Sequence, residues 1–203
     1  VEQIRKEFFC GTVVTSSSTG KGLGMGLYNM DRIFRPDGVA VIGASEREGS
    51  IGHALMKNLI EGGYEGKIFP VNPNYNEICG IDALRSVTEA GDKVDLAVIA
   101  TPILTVPDIV RQCTKADVGG CIIISAGGKE AGPEGRRLEE RIERESRKAG
   151  MRIVGPNCMG IICPGMKLNA SFAAHMPYRG KLAFISQSGA ICSSMLDLSL
   201  QEQ

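Results

Sequence analysis

From residue 38 onward, short unbroken apolar runs alternate with stretches whose apolar positions recur every three or four residues. The runs are 38–43, Lys67-Ile68-Phe69-Pro70-Val71, Asp95-Leu96-Ala97-Val98-Ile99-Ala100, Gly120-Cys121-Ile122-Ile123-Ile124 and Met151-Arg152-Ile153-Val154. Runs that are apolar throughout predict strands covered on both faces. Between them the spacing predicts helices over about 50–62, 105–116 and 134–149, with a helical turn near Val87. The first helix carries Ile51, Leu55, Leu59 and Ile60, and Gly62-Gly63 stops it. The third is densely charged, with Leu138 and Ile142 as its main apolar anchors, so it reads as a surface helix with a thin buried stripe. Strands alternating with helices predict an α/β protein, a Rossmann-like doubly wound parallel sheet with right-handed crossovers.

The two ends of the chain read differently. Residues 1–29 include the small, polar, glycine-rich stretch 16–26 and read as a flexible leader. Gly20-Lys21 is not a P-loop, because Thr15 stands where the first glycine belongs and Gly22 where Ser or Thr holds magnesium. Residues 159–178, with Pro164, Gly165 and Pro177, read as irregular or short-stranded. Lys181-Leu182-Ala183-Phe184-Ile185-Ser186 is expected to be a new buried strand. Gln187-Ser188-Gly189-Ala190 then turns into a helix running to Gln203. The expected organisation is a leader (1–29), a Rossmann-like domain (30–178) and the start of a second, flavodoxin-like α/β domain (179–203).

Charge narrows the function classes. The 203 residues hold 23 basic and 23 acidic side chains, so no bulk attraction to nucleic acid or anionic membrane is expected. No apolar run approaches the roughly 18 residues of a membrane span, and no signal-peptide core is visible at the start. Tryptophan is absent, which argues against a base-stacking surface. Seven cysteines without a C-x-x-C pair read as reduced, mostly buried thiols of a cytosolic protein. Neither a metal site nor a disulfide framework is expected.

The chemistry gathers where each predicted strand ends. In an open parallel sheet, ligands bind beyond the carboxyl ends of the strands. Those ends carry Gly43-Ala44-Ser45, Val71-Asn72-Pro73, Ala100-Thr101-Pro102, Ser125-Ala126-Gly127 and Gly155-Pro156-Asn157. Small residues let a ligand approach the backbone, and Asn, Ser and Thr offer neutral hydrogen bonds. After the first strand, Gly49-Ser50-Ile51-Gly52 opens a helix whose N-terminus suits phosphate. Gly43, Gly49 and Gly52 lack the dinucleotide spacing G-x-G-x-x-G. An NAD site also wants an acid at the end of the second strand, where this chain has Asn72. A neutral amide there favours a ligand with a phosphate near its ribose, such as coenzyme A; an NADP site remains an alternative.

These motifs, in this order, resemble the CoA-binding domain of NDP-forming acyl-CoA synthetases. The likeness runs through Asp31-Arg32-Ile33-Phe34 with Pro36, Val39 to Ser45, Val71-Asn72-Pro73 with Gly80, Asp95 to Pro102, and Gly155-Pro156-Asn157-Cys158-Met159-Gly160. The alpha subunit of succinyl-CoA synthetase is similar at Gly155 to Cys158, Pro164-Gly165 and Gly180 to Gly189. The resemblance implies CoA phosphates cradled by Gly43, Ala44, Ser45 and Gly49, Ser50, Ile51, Gly52, with Val71, Asn72 and Pro73 on the adenosine side. It implies pantetheine along Thr101, Pro102, Ser125, Ala126 and Gly127, with Pro156, Asn157 and Cys158 near the thiol. It further implies an acyl-phosphate reaction completed through a phosphohistidine. Ser186, Gln187, Ser188, Gly189 and Ala190 would face that group. Neither His53 nor His175 stands in the corresponding segment, so both are expected to be structural or surface residues and no catalytic residue is assigned. Cys158 is expected to be a buried thiol. An ATP-grasp domain or subunit is the expected partner, and a homo-oligomer is an open option. The competing readings are a CoA-sensing domain of a lysine acetyltransferase and the NADP-binding domain.

Overall fold

The computed structural model describes residues 29–201, so the leader reading falls almost wholly outside the described residues. In chain order the elements are α1 (Met30–Phe34), β1 (Gly38–Ile42), α2 (Ile51–Glu61), β2 (Lys67–Val71), β3 (Glu77–Ile78), β4 (Ile81–Asp82), β5 (Leu96–Ile99), α3 (Val106–Lys115), β6 (Gly120–Ile123), α4 (Pro133–Arg147), β7 (Arg152–Val154), β8 (Gly160–Cys163), β9 (Leu168–Ser171) and α5 (Gly189–Gln201). The expected turn near Val87 is a short 3-10 segment, Val87–Lys93.

Five strands form one parallel sheet in the order β2-β1-β5-β6-β7. Alternate side chains of each strand enter opposite layers. Val39, Val41, Leu96, Val98 and Ile122 pack with Leu55, Met56 and Leu59 of α2 and with Ile161 and Leu168 of the β8–β9 hairpin. Ala40, Ile42, Ala97, Ile99, Cys121 and Ile123 pack with Val106, Val110 and Cys113 of α3 and Ile142 of α4. Both faces are covered, which is why β1, β5 and β6 are buried along their whole length.

The helices depart from expectation in detail. The buried stripe of α2 is Gly52, Leu55, Met56 and Leu59, while Ile51 and Ile60 fall at its margins and are exposed. In α4 the small residues Gly135 and Ser146 complete the stripe around Ile142, and Leu138 is only half-buried.

Two antiparallel hairpins interrupt the α/β rhythm: β3–β4, in what read as a simple connection, and β8–β9. Asn58 Nδ2 clamps the second to α2, donating to Ser171 O at 2.7 Å and Ala173 O at 2.8 Å. The predicted buried strand over 181–186 does not form: Leu182 is 69% and Ile185 61% exposed, without strand pairing. A strand exists only through hydrogen bonds to a neighbour, and among the described residues no edge pairs with this segment. Helix α5 does form and packs Cys192 and Leu196 onto Met159 and Ile162.

Candidate functional site

All five strands of the main sheet run parallel, so their carboxyl ends share one edge. The strand order places a switch point between β1 and β5: α2 follows β1 onto one face and α3 follows β5 onto the other. A crevice outside that point is where ligands bind in such sheets. Its walls are the β1–α2 loop and the loop after β5.

The β1–α2 loop is held tightly. Gly43, at φ +91°, donates its N–H to Val71 O at 2.9 Å. Ser45 Oγ accepts from Arg47 N at 3.0 Å. Ser50 caps α2, accepting the His53 N–H at 3.2 Å while donating to Arg47 O at 2.7 Å. With the His53 amide capped, the first-turn amides that helix geometry leaves for an anion are those of Ile51 and Gly52. Beside them opens a cavity of about 550 Å³ lined by residues that include Gly49, Ser50, Ile51, His53, Lys57 and Phe172.

Lateral hydrogen bonds join this loop to the neighbouring strand ends. Asn72 Nδ2 donates to Ala44 O at 2.7 Å, and Asn72 Oδ1 accepts from Asn74 N at 3.0 Å. Its amide therefore clamps two loops. Ser125 Oγ donates to Thr101 O at 2.5 Å, and Asn157 N donates to Ser125 O at 2.9 Å. Thr105 Oγ1 ties the turn after β5 by donating to Pro102 O at 2.8 Å. Two linked stretches result, one running through residues 43–45 and 71–73, the other through 101–102, 125 and 157. A Cβ on Gly43 would stand 3.0 Å from both Ala100 O and Thr101 Cγ2, so the two stretches meet at the switch point.

Several sequence-predicted groups turn out to be committed within the protein. The Gly127 and Gly128 amides donate to Glu130 Oε1 at 2.8 and 3.1 Å, and Lys129 N donates to Glu139 Oε1 at 2.8 Å. Carboxylates of the chain itself fill this run of amides. Partial burial would raise the Glu130 acid, but bonds from the Gly127, Glu130 and Gly128 amides and the Lys129 charge outweigh it and hold the group below the ordinary carboxylate range. Cys158 is buried with its Sγ–H donating to Ile123 O at 3.2 Å, and burial pushes the thiol up to about 12. That is a structural thiol, not a nucleophile. His175 is exposed and His53 half-buried. Ser186, Gln187, Ser188, Gly189 and Ala190 lie at the start of α5, where Ser188 Oγ accepts from Ile191 N at 3.4 Å.

Sequence reasoning missed Lys57, Phe172 and the two plugging glutamates. Lys57 had a signal: it stands four residues after His53, on the same helical face. Glu130 had one as well, an acid directly after a Gly-Gly pair. Phe172 had none, because it arrives from the β9 end.

The geometry defines an α/β nucleotide-type binding domain with a phosphate-compatible loop at its switch point. The comparisons with known proteins make that class specific. Residues 37–164 match the family described as CoA binding domain, so the chain belongs to that family, whose ligand is coenzyme A. It is 44% identical over 170 residues to an ADP-forming acetate–CoA ligase of Archaeoglobus fulgidus, covering 84% of this chain and 24% of that protein. It is 44% identical over 179 residues to the alpha subunit of an ADP-forming acetate–CoA ligase of Pyrococcus furiosus, covering 86% of this chain and 39% of that one. A solved dinucleotide-forming acetyl-coenzyme A synthetase from Ca. Korarchaeum cryptofilum, in complex with phosphate and ADP, superposes with a TM-score of 0.81 at 37% identity, over 85% of this chain and 37% of that chain. The chain thus spans a quarter to two-fifths of the length of these relatives. Among the described residues no helix is long and apolar enough to cross a membrane.

The residues present fit coenzyme A. The first-turn amides of α2 suit a phosphate, Lys57 brings a positive charge to an adjoining cavity that Glu48 also lines, and the end of β2 carries the neutral Asn72 rather than an acid.

Proposed function

We propose that the chain is the CoA-holding part of an ADP-forming acyl-CoA synthetase, working with catalytic parts that lie outside it. The observation that carries this is the β1–α2 loop at the switch point, with its capped helix and clamped strand ends. CoA phosphates lie against Gly43 to Ser45 and Gly49 to Gly52. The adenosine side borders Val71, Asn72 and Pro73. Pantetheine runs along Thr101, Pro102 and Ser125 to Gly127, with Pro156 to Cys158 near the thiol. At this last position the backbone forms the contact, since the Cys158 sulfur is turned into the core.

In the full reaction an acyl phosphate and CoA are interconverted with acyl-CoA and phosphate, and a phosphohistidine beyond this chain carries the phosphoryl group to the nucleotide. The start of α5, Ser186 to Ala190, faces that group through its backbone amides. Residues 179–203 open the second domain, and an ATP-grasp domain or subunit supplies the nucleotide site.

Calorimetric titration of the chain with CoA, dephospho-CoA, NAD and NADPH tests the pocket. The expected result is one CoA per chain, with weaker dephospho-CoA and no NAD or NADPH binding. Ser45→Glu, which sets a carboxylate in the cradle, abolishes it. NADPH binding without CoA binding would overturn the reading.

A further inference from the structure

Three metal-ligating side chains meet on the outer wall of the β1–α2 loop. A carboxylate oxygen of Glu46, a ring nitrogen of His53 and Sγ of Cys79 all lie within 4.8 Å of one another. They come from three elements: the loop itself, the first turn of α2, and the turn between β3 and β4. Their separation in sequence, at 46, 53 and 79, hides them from any spacing rule.

Each ligand has its place fixed by its own element. Cys79 and Gly80 form a two-residue hairpin turn with φ of +52° and +76°, the signature of a type I′ turn. His53 sits where the Ser50 cap anchors the helix start, its N–H bonded at 3.2 Å. The Glu46 carboxylate reaches across and accepts the Cys79 N–H, joining loop to turn. A further observation points to a ligand: His53 Nδ1 is buried and has no hydrogen-bond partner among the described residues. A buried polar atom left unpaired is costly, and an ion taken by Nδ1 would satisfy it.

The ligand types choose the ion. Thiolate, imidazole and one carboxylate suit zinc-like, borderline-soft divalent ions, whereas magnesium and calcium prefer all-oxygen shells. Bonds of about 2.0–2.3 Å at tetrahedral angles put ligand atoms roughly 3.4 Å apart. The cluster therefore closes on an ion with side-chain movements of about 1.4 Å or less, within the reach of ordinary rotamer adjustment.

We propose that Glu46, His53 and Cys79 bind one zinc-class divalent cation, with the fourth coordination position left to water or an anion. Three protein ligands with an open fourth position is the arrangement of reactive zinc sites. His53 also lines the cavity at the start of α2, so the ion would stand beside the phosphate cradle and add positive charge there.

The test uses the chain reduced and stripped with chelator, then titrated with Co²⁺ as the spectroscopic substitute for zinc. One equivalent is expected to produce a thiolate-to-cobalt charge-transfer band that one equivalent of Zn²⁺ removes. Cys79→Ser abolishes the band. His53→Ala and, on the exposed loop, Glu46→Gln each weaken Co²⁺ binding by at least about tenfold, with circular dichroism confirming that both remain folded. Absence of the band, or its persistence in Cys79→Ser, overturns the site. CoA titrations are run with chelator present, so failure here and failure of the CoA pocket are separate outcomes.

Discussion

Replacing Gly52 by alanine probes the contact on which the phosphate cradle depends. A Cβ at Gly52 would stand 1.9 Å from Gly43 O and 3.2 Å from Ala44 Cα. Carbon and oxygen in such contacts do not come closer than 3.0 Å, so helix and loop must separate by about 1.1 Å, the difference between 3.0 and 1.9. The obstacle is backbone, and Gly43 is itself held by its 2.9 Å bond to Val71 O. Overpacking of this kind costs about 1–3 kcal/mol, against which alanine's better helix propensity returns up to about 1 kcal/mol. Because the obstacle is backbone that cannot swing aside, the upper part of the overpacking range applies, about 2–3 kcal/mol, so the net loss is about 1–3 kcal/mol, or a Tm lower by roughly 2–12 °C for a domain of this size. Displacing the first-turn amides by that distance should weaken CoA by at least about tenfold, because a 1 Å misplacement is enough to spoil a positioned contact. Gly189→Ala is the control: nothing lies within 4 Å of its Cβ position, so its stability should stay within about 0.5 kcal/mol. Thermal unfolding and CoA calorimetry read both quantities. A Gly52→Ala protein as stable as the parent would refute the packing argument. Lost stability with unchanged CoA affinity would refute the placement of the phosphates.

Three further outcomes follow from the committed groups. Asn72→Asp removes the donor to Ala44 O and sets a carboxylate against a carbonyl, so denaturant unfolding should show a loss of about 1–3 kcal/mol; CoA binding should fall further than in Asn72→Ala, and equal affinities would argue against a phosphate nearby. Glu130 has its folded-state pKa depressed, so its stabilising contribution is present above the unfolded value of about 4.3 and is lost as pH falls through the lower folded value. The Tm of the parent should therefore fall more steeply than that of Glu130→Gln as pH drops from about 5 to below 4, and parallel Tm-versus-pH curves would remove the amide nest as its cause. Cys158, with its thiol pushed up to about 12 and buried, should resist iodoacetamide at pH 8 in the native protein and react after denaturation; peptide mass spectrometry that found native labelling would contradict its inward orientation.

The parallel sheet was readable because its strands are apolar on both faces. Val39-Ala40-Val41-Ile42 serves one layer with Val39 and Val41 and the other with Ala40 and Ile42, and a strand covered on both faces demands such a run. The helix margins were less legible. Ile51 and Ile60 satisfy an apolar count, but the packed stripe passes through Gly52 and Met56 instead, and at Gly52 the helix approaches the Gly43-Ala44 backbone of the β1–α2 loop closely enough to require a glycine. Lys181 to Ser186 failed for a related reason: hydrophobic pattern states what a segment will bury if a partner strand is present, and pairing is not encoded in the segment alone.

For the site, sequence located the strand ends but not the state of their atoms. Asn72 stands out in the sequence for its neutral amide, and in the fold both ends of that amide are taken, one by Ala44 O and one by Asn74 N. Gly127 promises an accessible backbone, and its N–H is held by Glu130. Ser45, Ser50 and Ser125 likewise direct their hydroxyls at the protein. Side chains at the crevice thus set the shape of the loops, while the Ile51 and Gly52 amides are the groups that helix geometry leaves for an anion. This division has a physical logic. Amides fixed by a capped helix and clamped loops need no reorganisation when a charged ligand arrives, whereas flexible side chains would lose entropy on binding. It also explains why a pattern of small and neutral residues marks the strand ends: those residues leave room beside the backbone and hold its amides still.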